Sequence, residues 1–287
     1  MDVAVVGAGR VGTALAVLLA RAGYRITAVA GRDATPARAA RYLPDVPVLD
    51  LAGTARSAEL VLVAVPDDAI ARVVADLASA AAFREGAWVA HVSGARGLAD
   101  LDPARGAGAH RLGLHPLQAV ADVEGAIDGL PGCVFAVAAD DAEGWALGET
   151  LARDLGGTPF RLDEERRAIY HAAAVFASNH VVATSAVATR LFRAAGVPDP
   201  AAAMRPLQRT TLENLERLGA GDALTGPAAR GDAGTVARNL EALAADAPDA
   251  VAVYIAMARV ALDVAVGAGR LDAAGRAAVD EVLDRWT

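Results

Sequence analysis

Up to about residue 163, short runs of β-branched and apolar residues alternate with stretches of helical periodicity. The strand-like runs are 2–6, 25–30, 59–65, 88–92, 111–114, 133–138 and 158–162. A helical pattern over 13–22 ends at Gly23, a residue suited to a helix C-terminus, and another spans 69–82. Thr35 and Pro36 read as N-cap and first-turn proline of a further helix. Beyond residue 163 the pattern becomes long, alanine- and leucine-rich and helical, over about 164–195, 199–218, 233–244, 248–267 and 271–285. The main break in this half is the loop 219–234. Alternation followed by uninterrupted helix predicts two domains. The first, 1–163, is α/β, a doubly wound parallel sheet with helices on both faces; the second, 164–287, is all helical.

The first strand-like run leads into Gly7-Ala8-Gly9-Arg10-Val11-Gly12 and then into a helix. In that context the spacing G-x-G-x-x-G carries meaning. Gly7 allows a tight turn, Gly9 lets the backbone approach a pyrophosphate, and Gly12 lets helix and strand pack closely. The helix start offers free amides and a positive dipole end to phosphate. Sites for NAD(H) place an acid at the end of the second strand to bind the ribose hydroxyls. Here the chain reads Ala30-Gly31-Arg32-Asp33. A small residue holds the acid's place, and Arg32 is suited to a 2′-phosphate, so NADP(H) is expected over NAD(H). Asp33 is either that acid displaced by a bulge or the start of the next turn.

Composition removes several alternatives. The chain has 287 residues and a net charge of −8 without a basic block, which argues against nucleic acid as a partner. All 27 basic residues are arginine, so chemistry that needs a lysine is ruled out. Cys133 is the only cysteine, which leaves no internal disulfide and no multi-cysteine metal site. His110 and His115 lie five apart on an extended segment and face opposite sides, so no metal is expected. Residues 168–189 are uncharged and about long enough to span a bilayer. They also carry His171, Ser178, Asn179, His180, Thr184, Ser185 and Thr189, so a buried central helix of a soluble, cytoplasmic protein is expected instead.

Several segments together resemble a known group. They are the glycine motif, Val65-Pro66-Asp67-Asp68-Ala69-Ile70, His91-Val92-Ser93-Gly94, His115-Pro116-Leu117-Gln118, Phe176-Ala177-Ser178-Asn179 and 225–232 (Thr-Gly-Pro-Ala-Ala-Arg-Gly-Asp). The chain resembles Rossmann-like proteins whose helical half is domain of unknown function 2520. That group is similar to ketopantoate reductases, pyrroline-5-carboxylate reductases and 6-phosphogluconate or β-hydroxyacid dehydrogenases. The resemblance implies an NAD(P)-dependent enzyme with a helical second domain and a homodimeric interface. Gly7, Gly9, Arg10, Val11, Gly12, Arg32, Val65 and Pro66 form the expected cofactor set. In the dehydrogenase and ketopantoate-reductase relatives a catalytic lysine lies one turn before an asparagine. Four residues before Asn179 this chain has Val175.

With lysine absent, histidine is the natural proton donor. His171, Ser178 and Ser185 are seven apart and share one stripe of an α-helix, with Asn179 beside it. If that stripe faces the cofactor, His171, Ser178 and Asn179 form its polar set; otherwise His171 bonds a neighbouring loop. His180 points nearly the opposite way and is assigned to packing. Ser93 follows a strand at the edge where open sheets bind ligands, as donor to substrate or as strand-end cap. His115 ends another strand and is a second candidate acid. Arg230 and Thr225 are candidate substrate ligands, and Asp232 either joins them or caps the helix after it. Arg166 and Arg167 read as a solvated face. The expected activity is NADPH-dependent reduction of a small anionic 2-oxo acid, ketopantoate-like in type. The alternatives are a cyclic-imine reductase and a non-catalytic NADPH sensor.

Overall fold

In the computed structural model, which describes residues 1–287, the apolar runs of the first half become seven strands. These are β1 (Asp2–Val6), β2 (Arg25–Ala30), β3 (Leu60–Val63), β4 (Trp88–His91), β5 (His110–Pro116), β6 (Val134–Ala139) and β7 (Thr158–Arg161). They form one sheet in the order β2-β1-β3-β4-β5-β6-β7. β3 and β4 are buried at every residue, which is why they read as continuous apolar runs. Leu60 and Leu62 face one apolar layer with Leu15, Leu19 and Leu151. Val61 and Val63 face the other, with Ile70, Val74 and Leu77. Successive side chains of one strand therefore serve two cores.

Helices α1 (Arg10–Arg21), α2 (Thr35–Tyr42), α3 (Leu51–Arg56), α4 (Ile70–Ser79), α5 (Asp102–Gly106), α6 (Val123–Gly129) and α7 (Ala142–Asp154) connect the strands. The sheet is not wholly parallel: β6 runs antiparallel to β5. The direction of β6 is set by the path of the connection 117–133, which includes the short helix α6, and not by the strand's own residues. Helix α7 escaped the pattern reading because Gly144 and Gly148 interrupt it. Those glycines let it lie on the sheet: a Cβ at Gly144 would come 2.7 Å from Ala139 Cβ, and one at Gly148 would strike Val137. The expected cap at Thr35 is also corrected. Thr35 is the first residue of α2, its preceding Ala34 makes no side-chain cap, and the threonine is buried beneath Gly31.

The chain divides into two compact units, Met1–Asn179 and His180–Thr287. The first closes with α8 (Arg167–Ala174) and a π-helical turn, Val175–Asn179. The second contains α9 (His180–Ala194), α10 (Pro200–Ala223), α11 (Ala233–Asp246), α12 (Val251–Gly267) and α13 (Ala273–Asp284). Asp199, Asp232 and Asp272 cap α10, α11 and α13 by accepting from the amides of Ala202, Thr235 and Gly275. Val236, Leu240, Leu262, Val279 and Leu283 form this unit's core.

The expectation of a buried central helix is overturned. Between Arg167 and Ala194 only Arg167 is buried, while Ile169 is 66% and Val182 70% exposed. The burial of Arg167 likewise corrects its reading as a solvated face. Residues 164–194 and 248–267 are long and apolar enough to cross a membrane by length and composition.

Candidate functional site

The glycine segment wraps the end of β1. The amides of Gly7 and Ala8 both donate to the carbonyl of Ala30, at 2.9 and 2.8 Å, which ties this turn to the end of β2. Gly7 sits at φ +100°, and a Cβ there would lie 2.6 Å from the Ala64 carbonyl. Only glycine fits that turn. Gly12 is sealed in the packing of α1, where an added Cβ would strike the carbonyl of Gly7. Gly9 is different: a Cβ built on it meets nothing nearer than the Gly7 carbonyl, at 4.0 Å. Gly9 is also the N-cap of α1 and offers no side chain to the first-turn amides. Open space above bare helix amides is what a phosphate requires.

That space belongs to a cleft of about 980 Å³. Gly7, Gly9, Arg10, Val11, Arg32, Val65 and Pro66 line it; Gly12 lies behind it. The cleft opens between the ends of β1 and β3, where the order of strands reverses direction. Arg38 and Arg72, which the sequence reading missed, line it too. Arg38 donates to the carbonyl of Ala8 at 2.8 Å, so its guanidinium is held against the glycine loop. Four arginines and one carboxylate, Asp68, are among the lining residues. Asp33 is exposed and is not part of it. The Thr35 amide donates to the Arg32 carbonyl at 2.8 Å, so Asp33 lies in a turn and does not stand where a ribose-binding acid would. The residues present fit a dinucleotide.

A second constellation lies at the adjoining strand ends. In register, Val63 of β3 pairs with His91 of β4, and His91 pairs with Gly113 of β5. His91 is fully buried. Its Nδ1 accepts from the amide of Ser93 at 3.3 Å, so the ring proton lies on Nε2, which has no partner. Ser93 Oγ accepts from the amides of Ala95 and Arg96 at 3.2 and 3.0 Å, which folds the loop after β4 back on itself. It therefore caps that loop, and its hydroxyl proton remains available to donate. His115 lies flat on this loop: a Cβ on Gly94 would come 2.7 Å from its Cε1. Its Nδ1 is 2.8 Å from the hydroxyl of Tyr170. His110 instead stacks on Trp88, with ring centroids 4.6 Å apart.

Arg167 holds this cluster from below. Its Nε and Nη2 donate to Glu164 Oε1 at 3.2 and 2.6 Å, and Glu164 Oε2 accepts from the Leu98 amide at 3.1 Å. The start of α8 is thereby tied to the loop carrying Ser93. Arg167 Nη2 and His91 Cε1 both border Gly113, at 3.5 and 3.4 Å from a Cβ placed there. Burial first, and then the Arg167 charge, pull His91 down to about pKa 4. Burial, His171 and Arg167, in that order, pull His115 to about 4 as well. Both rings are neutral at neutral pH.

These depressed values predict a stability profile. Between pH 6.5 and about 4 the unfolded chain takes up protons at His91 and His115 that the native chain refuses. Stability is therefore complete above pH 6.5 and falls as pH drops, by up to about 1.4 kcal/mol per pH unit for each ring. Urea unfolding across that window should show the decline. A flat profile would contradict the neutral, buried assignment.

His171 is half-buried, and its Nδ1 is sealed without a partner. Ser178 is half-buried and Asn179 exposed, both on the π-helical turn. That turn interrupts the 3.6-residue register, so the seven-residue stripe through His171, Ser178 and Ser185 is not a straight line of one α-helix. In the second unit, Thr225 and Arg230 are exposed. Asp232 accepts from the Thr235 amide, and the Thr235 hydrogen bonds with the nearby arginines Arg238 and Arg230 hold its carboxyl below the usual range.

Residues 1–116 match the model of a Rossmann-like domain, and residues 133–261 match that of the domain of unknown function DUF2520. The chain joins these two modules. No curated protein matches it. Among solved structures it is similar to a candidate NADP oxidoreductase of Bacteroides fragilis, at 26% identity and a TM-score of 0.77, covering 91% of this chain and 98% of the other. A protein of Thermotoga maritima aligns at 23% identity and a TM-score of 0.74, covering 92% and 99%. An imine reductase of Myxococcus stipitatus, solved with NADP+, aligns at 18% identity and a TM-score of 0.66, covering 100% and 99%. The last two likenesses show a shared fold.

Proposed function

We propose that the chain is an NADPH-dependent reductase of a small anionic 2-oxo acid. The observation that carries this reading is the adjacency of two features along one sheet edge. A phosphate-ready cleft lined by Arg10, Arg32, Arg38 and Arg72 stands at β1 and β3, and the neutral donors Ser93 and His115 stand at β4 and β5. When bound, the cofactor would supply the hydride to the carbonyl carbon, and solvent water the proton that turns the resulting alkoxide into the alcohol. His115 and Ser93 meet the carbonyl oxygen, where negative charge gathers as the bond is reduced. His171, beside His115, and Ser178 and Asn179 on the following turn remain candidates for orienting the substrate. Arg230 and Thr225 of the second unit remain candidate ligands of an anionic group, with Asp232 as the cap of the helix after them.

The preference for NADPH rests on Arg32, with Arg38 and Arg72 beside it. Charge-assisted bonds to a 2′-phosphate contribute about 1.5–3 kcal/mol each, so Arg32→Ala should lower the NADPH/NADH affinity ratio at least about tenfold. An unchanged ratio in fluorescence titrations would contradict the assignment. The similarity to a candidate NADP oxidoreductase supports the same cofactor.

A second reading, a cyclic-imine reductase, is favoured by one observation: Val175 stands where the hydroxyacid-dehydrogenase relatives carry lysine, and the chain contains none. Nicotinamide absorbance with parallel panels of 2-oxo acids and cyclic imines separates the two. Oxidation of NADPH by oxo acids supports the first reading and oxidation by imines alone overturns it. The protein is further proposed to be cytoplasmic and homodimeric, with the exposed apolar residues Leu207, Leu212, Val253, Met257 and Val260 covered by a second copy. A one-chain mass in sedimentation would contradict that pairing.

A further inference from the structure

The sequence marked His115 as a proton source but left open which ring nitrogen faces the substrate and in what form. The hydroxyl of Tyr170 settles the first point. A phenol is a stronger donor than an imidazole N–H, and an imidazole nitrogen is a stronger acceptor than a phenol oxygen. Across 2.8 Å the favoured bond is therefore Tyr170 O–H donating to His115 Nδ1. The proton of the neutral ring then lies on Nε2, since the ring's hydrogen bond within the chain is made at Nδ1. The arrangement is rigid. The Tyr170 ring meets His115 edge-on at 5.6 Å and packs against Phe160, while Gly94 packs closely on the His115 ring.

We infer that Tyr170 is a positioning residue that locks His115 as the Nε2–H tautomer, so that the site offers a neutral hydrogen-bond donor and selects a carbonyl oxygen over a protonated imine. The inference rests on the reductase reading for its use, but the lock itself is a property of the free protein. The groups around His115 agree with it. Tyr170, pushed up to about 12 by burial, keeps its proton throughout the neutral range. Arg167 and His171 bear on the ring from α8, and Asp67 bears on it from the turn after β3. Burial, together with Arg167 and His171, outweighs Asp67, so the ring stays uncharged. A ketone oxygen accepts hydrogen bonds and gains negative charge during reduction, which Nε2–H and the Ser93 hydroxyl both favour. A protonated imine presents its own N–H and a positive charge. It would meet a donor, with the Arg167 guanidinium close by.

Nitrogen NMR of the imidazole rings at neutral pH tests the lock, with His115→Ala to assign the signals. The expected spectrum has His115 Nδ1 unprotonated and Nε2 protonated. In Tyr170→Phe, which keeps the ring packing, both nitrogens should share the proton. A wild-type spectrum with the proton on Nδ1 overturns the inference. Tyr170→Phe should also lower kcat for the oxo acid about tenfold, with NADPH affinity and the KM for NADPH unchanged. A locked tautomer with unchanged kcat in that variant overturns the positioning role. If the wild type turns over no oxo acid, the reductase reading fails instead, and the spectrum alone decides the lock.

Discussion

Gly9→Ala should fold as the parent does and bind NADPH about 100-fold more weakly, a loss of roughly 2.7 kcal/mol. The two halves of this expectation have separate causes. Gly9 lies in extended backbone, with φ −78° and ψ −154°, which alanine adopts without strain. Its added methyl group would touch nothing in the protein, since the nearest atom is 4.0 Å away. The methyl would instead stand in the cleft, over the amides that begin α1, and hold a pyrophosphate off them. Gly7→Ala makes the contrast. There the left-handed φ and a 2.6 Å clash with the Ala64 carbonyl cost about 3 kcal/mol or more, so stability falls along with binding. Thermal unfolding and fluorescence titration of both variants separate the effects. Wild-type NADPH affinity in Gly9→Ala would mean that the dinucleotide does not cross this loop.

His115→Ala should lower kcat about 100-fold while leaving NADPH affinity within about twofold. The ring stands at the end of β5, apart from the residues lining the cleft, so its removal leaves the cofactor's contacts alone. On the proposed reading it takes away the N–H offered to the substrate's oxygen, on the ring that Tyr170 bonds at Nδ1. His171→Ala should cost less, because no bond in the chain fixes that ring's orientation. Steady-state kinetics with NADPH saturating check both variants. A larger loss of kcat in His171→Ala than in His115→Ala would transfer the donor role to His171.

What the sequence disclosed and what it hid divide along physical lines. Gly7, Gly9 and Gly12 were legible because their roles are local: a turn, an approach and a helix contact follow from consecutive residues. The strands β3 and β4 were legible because a strand buried on both faces must be apolar throughout. The antiparallel β6 was hidden because direction depends on the path of a connection rather than on the strand's own residues. Arg167 and Glu164 were hidden because burial is decided by the loop 93–98, some seventy residues earlier in the chain. A salt-bridge spacing of three at a helix start was the one available sign, and it is equally common on surfaces. Tyr170 was passed over beside His171, since nothing local shows that its hydroxyl meets His115, fifty-five residues away. The stripe through His171 and Ser185 assumed an unbroken α-helix, and the π-helical turn at Val175–Asn179 breaks that register.

Delivery of hydride from NADPH in this cleft to a carbonyl carbon is the step on which the proposed activity depends. It is tested most directly with NADPH carrying deuterium at the transferred position, incubated with the wild-type protein and a 2-oxo acid. The expected result is a 2-hydroxy acid bearing one deuterium on the carbon next to the carboxylate, detected by mass spectrometry. Tight NADPH binding with no label in any oxo acid would contradict the account and leave the chain a binder of the cofactor rather than a reductase.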